Sequence, residues 1–202
     1  SIMYGSNYNQ RSGVFYKSVN GGQSWGQQPM IYPFNPSINE TASWVSPLTI
    51  DENNSNLFVG YQNVYRSTNQ GSNWTKLSDF GLPNYLSITE IALAPTNSNY
   101  IYVAISNQVY KTTNSGQAWN SIYTAPNGLA VRNLTVNPTK PDEIYVVVSG
   151  YQNGNKVYKV NGTSSSNISG DLPNFPVNCI TYQKESNDRI YIGTDIGVFT
   201  KD

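Results

Sequence analysis

Val64-Tyr65-Arg66-Ser67-Thr68-Asn69-Gln70-Gly71-Ser72-Asn73-Trp74 is the stretch that decides the fold. A β-branched and aromatic run meets a polar turn holding one glycine and lands on a tryptophan, the pattern of a tight hairpin between two strands. The pattern stands earlier as Val14-Phe15-Tyr16-Lys17-Ser18-Val19-Asn20-Gly21-Gly22-Gln23-Ser24-Trp25. It returns as Val109-Tyr110-Lys111-Thr112-Thr113-Asn114-Ser115-Gly116-Gln117-Ala118-Trp119. The tryptophans are spaced by 49 and then 45 residues. Strand-forming repeats of this length match one propeller blade each.

Working outward, a second slot keeps the same step. Leu57-Phe58-Val59-Gly60, Ile101-Tyr102-Val103-Ala104, Ile144-Tyr145-Val146-Val147 and Ile190-Tyr191-Ile192-Gly193 occupy it, with Ile2-Met3-Tyr4-Gly5 before them. Such continuous apolar runs predict strands covered on both faces. Upstream of each lies an alternating segment, Leu48/Ile50, Ile91/Leu93, Leu134/Val136 and Ile180/Tyr182, which predicts half-buried strands. Each unit therefore reads strand A, turn, strand B, loop, strand C, tight hairpin, strand D, and no helix is expected. The first unit, roughly residues 1–40, lacks A; units near 41–82, 83–126 and 127–172 are fuller; the last, 173–202, stops after C. The 127–172 unit has lost its hairpin motif, since Val157-Tyr158-Lys159 runs into Val160-Asn161-Gly162-Thr163. The expectation is a single all-β domain over residues 1–202, a β-propeller of about 4 to 4.5 blades, each a four-stranded antiparallel meander. Closing a four-bladed ring would leave B and C duplicated, so a segment of a larger propeller is expected, with the parent's remaining blades as partners.

Composition agrees and excludes much. Only 12% of residues are charged and 38% hydrophobic, with 12 Lys+Arg against 12 Asp+Glu, 27 Asn, 16 Tyr, 16 Gly and 11 Pro. Disordered chains have few aromatics and high net charge, the opposite of this one. There is no histidine and a single cysteine, Cys179. A Ser-His-Asp or Cys-His pair, a histidine-ligated metal, a Cys₄ zinc site and an internal disulfide are thereby excluded, so no metal or cofactor is expected. Few, scattered cations argue against nucleic acid as a partner. No stretch approaches twenty apolar residues, so no membrane span is expected. With no charged-then-apolar leader and Ser1 first, the chain reads as a mature or excised segment.

The hairpin motif has a direct physical meaning. Gly22, Gly71 and Gly116 supply the positive φ of a tight turn. Asn20, Asn69 and Asn114 can accept hydrogen bonds from the turn backbone, and the hydroxyls of Ser18, Ser67 and Thr112 can add another. Trp25, Trp74 and Trp119 are expected to bury large apolar faces, each worth ~2–3 kcal/mol.

These residues resemble the Asp-box, or BNR repeat, of sialidases, sortilin-type receptors, two-propeller xyloglucanases and secreted bacterial surface proteins. The family motif is Ser-x-Asp-x-Gly-x-Thr-Trp. Here Asn20, Asn69 and Asn114 replace the Asp, and Ser24, Asn73 and Ala118 stand at the Thr position. Amide for acid keeps the acceptor oxygen and removes the charge, which suits a structural staple and not acid–base chemistry. The resemblance implies a propeller fold with its boxes away from ligand sites. It leaves activity open, because enzymes, receptors and scaffolds share the family.

An enzyme would have to use paired carboxylates on a glycosidic bond. Asp51-Glu52, Asp142-Glu143, Glu185 and Asp188 recur at the A–B turn, which favours a turn role. Asp195 sits between strands B and C of the last unit, again a turn position. Glu90 and Arg132 fall on predicted inner strands and are candidates to bind a ligand. The sialidase pattern of three clustered arginines is not expected from Arg11, Arg66, Arg132 and Arg189. The xyloglucanase resemblance stops short of a cleft between two whole propellers. A sortilin-like receptor ectodomain is disfavoured for want of a cysteine-rich segment.

Binding is easier to support. The connector from about Gly26 to Ser43 carries Tyr32 and Phe34; other loops carry Tyr8, Phe80, Tyr85, Tyr151 and Phe175. Aromatic faces beside amides suit glycan or protein surfaces, while the plainer reading has them plugging blade ends. Trp44, next to strand A, is read as core, and Cys179 as a buried inert thiol. The expected function is a non-catalytic module of a secreted or cell-surface bacterial protein, a scaffold or a binder of protein or glycan. The alternative is a xyloglucanase- or sialidase-like glycoside hydrolase propeller, or part of one.

Overall fold

The computed structural model describes residues 1–9, 12–27 and 40–201, with backbone alone at 6–9, 12–15 and 27. Among these residues are eighteen strands in five antiparallel sheets and one short 3₁₀ turn, Pro126–Gly128. The chain divides into two compact units, Ser1–Thr89 and Glu90–Asp202.

The first unit holds two sheets. β1 (Met3–Asn9), β2 (Ser12–Ser18) and β3 (Gly26–Gln27) form a three-stranded meander, the expected B, C and D. β4 (Leu48–Ile50), β5 (Leu57–Gly60), β6 (Val64–Ser67) and β7 (Thr75–Lys76) form a complete A–D blade. Its core gathers Ala42, Val59, Tyr61 and Tyr65, with Leu48 and Trp74 packed against them. Gly60 is obligatory there, because a Cβ would lie 2.8 Å from both Ile88 and Pro47.

The second unit carries three sheets. They are β8 (Ile88–Leu93) to β9 (Ile101–Ile105), β10 (Gln108–Thr112) and β11 (Asn120–Thr124); β12 (Val131–Val136) to β13 (Glu143–Val148), β14 (Val157–Asn161) and β15 (Ser164–Asn167); and β16 (Val177–Tyr182) with β17 (Ile190–Thr194) and β18 (Gly197–Lys201). β8 begins two residues before the unit boundary. The 127–172 blade keeps a tight C–D hairpin although its motif is gone, with Gly162 at φ 59° turning β14 into β15.

β13 shows why strand B reads as an unbroken apolar run. All six of its residues are buried. Ile144, Val146 and Val148 enter the core shared with β9–β12, while Tyr145 and Val147 enter the core shared with β16 and β17. A two-residue period with both faces covered leaves a polar position only at the strand's end, where Glu143 is paired. The last sheet differs, because only one of its faces joins such a core. β16 buries Val177 and Ile180 and exposes Asn178 and Cys179. Cys179 is therefore exposed, contrary to the buried thiol expected from sequence. It lies opposite Gly193 after a register shift in β16, its sulfur occupying the space a side chain at 193 would need.

Candidate functional site

Antiparallel order sends A–B turns and C–D hairpins to one end of every sheet, and B–C loops and D–A connectors to the other. The two ends have different chemistry.

The hairpin end is a set of staples. Ser18 Oγ accepts from the Gly22 N–H at 2.8 Å, Ser67 Oγ from Gly71 at 2.8 Å and Thr112 Oγ1 from Gly116 at 3.0 Å. Each hydroxyl donates to the Asn two residues on, at 2.9, 3.0 and 2.8 Å. The Asn20, Asn69 and Asn114 carbonyl oxygens in turn accept from the N–H of Ser24, Asn73 and Ala118 at 3.0, 2.8 and 2.9 Å. The glycines sit at φ 88°, 90° and 93°. The tryptophans are less buried than expected. Trp74 and Trp119 are half-buried and Trp25 is 45% exposed. A hairpin at a sheet end offers the ring one protein face only: Trp25 covers Gly5 and Gly22, and the Trp74 indole N–H donates to Gly71 O at 3.1 Å.

Charged side chains at this end tie sheets together, a feature that sequence reading missed. Lys159 Nζ lies 3.0 Å from Glu143 Oε2 and 3.2 Å from Asp188 Oδ2. Glu143 also accepts from Asn137 Nδ2 at 2.7 Å and Tyr145 OH at 3.1 Å, and Tyr182 OH donates to Asp188 at 2.9 Å. Burial alone would lower the Lys159 pKa, but its bonds to Glu143, Tyr145 and Asp188 hold it raised. Burial first, with the Glu143 charge adding, pushes the Tyr145 hydroxyl up to about 12. Lys111 makes the simpler version, 2.6 Å from Asp142. Asp51 is buried and caps its own turn, accepting from Asn53 N at 2.9 Å. The recurring acids and the recurring strand-C cations were each visible in the sequence; their pairing across sheets was not.

The loop end carries the candidate binding residues. Tyr32 and Phe34 lie outside the described residues, and Tyr8 is placed by its backbone alone, in β1. Tyr85 is 83% exposed and Tyr151 64% exposed, so neither plugs a blade. Phe175 is also exposed, while Phe80 is half-buried. Trp44 is 78% exposed, contrary to the expected core position. Ala42 and Ser46 are buried on either side of it and Pro47 packs at Gly60, so the connector is pinned at both flanks and Trp44-Val45 arches outward.

Glu90 and Arg132 stand near the loop ends of inner strands. Half-buried Glu90 accepts from Asn133 Nδ2 at 2.5 Å and from the Ile91 N–H at 3.2 Å. Burial raises its pKa despite those two bonds. Asn133 Oδ1 accepts in turn from the Ile180 N–H at 3.0 Å, so a single chain of contacts runs across β8, β12 and β16. Arg132 is exposed at a register shift in β12. Exposed Asp195 accepts from Asn178 Nδ2 at 2.8 Å. Glu90 thus has an amide and a backbone N–H as partners, and Asp195 an amide; neither is bonded to a second acid. Among the described residues no cluster of three or more acidic or cysteine side chains could hold a metal ion.

Five four- or three-stranded meanders, three of them with stapled C–D hairpins, make the chain a β-propeller of the Asp-box class. The Sortilin-Vps10 family signature (sortilin, neurotensin receptor 3) matches residues 62–193, and the chain belongs to that family. Among solved structures it is similar to a GH74 enzyme of Niastella koreensis, with 23% identity and TM-score 0.68 over 92% of this chain and 30% of that one. YCF48 of Cyanidioschyzon merolae gives 14% identity and TM-score 0.67, covering 94% of this chain and 61% of that one. The extracellular domain of a one-component system of B. thetaiotaomicron gives 12% and 0.65, covering 97% and 27%. The chain therefore spans from about a quarter to three-fifths of the length of these proteins, and the likeness is one of fold. No curated protein matches it by sequence. Among the described residues no helix is long and apolar enough to cross a membrane.

Proposed function

We propose that this chain is a non-catalytic module of a secreted or cell-surface protein, binding a protein or glycan at the loop end of its blades. One observation carries the reading: the loop end presents Tyr85 and Tyr151 to solvent, whereas the motif residues at the hairpin end are consumed in their own turns. Tyr8, at the loop end of β1, is a further candidate, as are Glu90 and Arg132, and the sequence adds Tyr32 and Phe34. Low charge and the lack of histidine support binding through rings and amides over acid–base chemistry. Among the fold's relatives, one is an extracellular domain and one, YCF48, has been solved bound to a D1 peptide. The remaining blades of a parent propeller are the other partner.

The second reading, a glycoside hydrolase propeller or part of one, is favoured by the GH74 likeness and by the raised pKa of Glu90. A panel of polysaccharides, sialosides and immobilised proteins separates the two. Retention without new reducing ends supports the module. Cleavage lost in Glu90→Gln or Asp195→Asn replaces it with the hydrolase.

A further inference from the structure

Trp44 and Tyr85 stand on successive D–A connectors of the first unit, and a hydrogen bond joins those connectors. Ser87 Oγ donates to Ser43 Oγ at 3.3 Å, one residue from Trp44 and two from Tyr85. Chain geometry then keeps the Trp44 and Tyr85 Cα atoms within about 20 Å of one another. Both connectors are braced from below. Gly60 N donates to Pro47 O at 3.0 Å, Ile88 N to Tyr61 O at 2.7 Å, and Gln62 Nε2 to Leu82 O at 2.7 Å. Ordered backbone holding exposed rings binds with little conformational entropy left to lose.

The surroundings select the ligand. Residues 41–50 and 80–89 contain no Asp, Glu, Lys or Arg, whereas hydroxyls and an amide recur at Ser43, Asn84 and Ser87. Of the acids just before each stretch, Glu40 is held by Asn63 N and Nδ2 at 2.9 and 2.7 Å, by Tyr65 OH at 2.8 Å and by Lys76 at 3.6 Å, and Asp79 lies 3.5 Å from Lys76. Within the two stretches a charged polymer finds no ionic side chain to pair with. Two flat rings among neutral hydroxyls and an amide suit a ligand with apolar C–H faces rimmed by hydroxyls, which is an uncharged pyranose chain.

We infer that Trp44 and Tyr85 form a two-ring platform that takes an uncharged polysaccharide. This rests on the binding-module reading and names the ligand class for its first unit. The platform uses exposed rings, so Trp44→Ala and Tyr85→Ala leave the fold intact, which thermal unfolding checks. Migration of the full chain through native gels containing mixed-linkage β-glucan, galactomannan or polygalacturonate is the test. Retardation by a neutral polymer, weakened at least about fivefold by each substitution and unchanged by Trp25→Ala at the hairpin end, is the expected result. Retardation that both variants keep overturns the platform while the module reading stands. Retardation by polygalacturonate alone overturns it as well. Free migration in every gel also overturns it, and the module reading then rests on the protein arm of the panel.

Discussion

Asn69 shows what one atom does in this protein. Its carbonyl oxygen accepts from Ser67 Oγ and from the Asn73 N–H, so one atom ties the two sides of the turn together. The requirement is for an acceptor at that position, with no need for charge. Asn69→Asp is therefore expected to leave the melting temperature nearly unchanged, and Asn69→Ala to lower stability by roughly 1–2 kcal/mol, as read by denaturant unfolding. The motif was legible because each residue type has one job within a few positions of chain. Trp44 and Cys179 were misread for the opposite reason. Their burial depends on packing against other parts of the chain: for Trp44, Ala42 against Val59, Tyr61 and Tyr65 and Pro47 at Gly60; for Cys179, whether a second sheet covers β16.

Among the elements, inner strands and strand C carry the ties between sheets. Glu90 on β8 is bonded to Asn133 on β12 in a half-buried site that raises its pKa. A carboxyl with a raised folded pKa costs stability above that pKa, and the cost disappears as pH falls toward the unfolded value near 4.3. Glu90→Gln, which keeps the acceptor, is expected to raise the melting temperature at neutral pH, with the gain shrinking toward pH 4. Asp188 titrates the other way. The Tyr182 hydroxyl first, and Lys159 with it, hold its carboxyl below the usual range. Its contribution is present above the unfolded pKa and fades as pH falls through the folded one. A melting series should show Asp188→Asn less stable than the parent at pH 7, with the gap closing progressively below about pH 5. Sequence placed Lys159 and Asp188 correctly in a strand and a turn. Nothing local could show that β14 and the β16–β17 turn come within bonding distance.

Across the whole molecule, coverage of sheet faces separates one blade from another. β13 is buried on both faces, whereas the last sheet joins a core through one face. Cys179 is the reporter of that difference. It is expected to react with a maleimide in the native protein about as fast as after unfolding. Protection by orders of magnitude would show that face to be covered. The two ends of each sheet also differ in chemistry. Stapled hairpins and ion pairs hold the fold at one end, and the most exposed rings, Trp44, Tyr85 and Tyr151, stand at the other.

The sequence by itself determined the strands, their order in each blade, the hairpin staples and the repeat. These depend on period-two burial and on turn chemistry, interactions that close within a dozen residues. It also excluded histidine- and thiol-pair chemistry by composition alone. Tertiary structure decided which rings face water, which sheet lacks a second covered face, and which acid meets which lysine. Those depend on groups brought together by sheet packing from separate parts of the chain, as with Glu90 and Asn133 across 43 positions, and no local pattern encodes such a meeting.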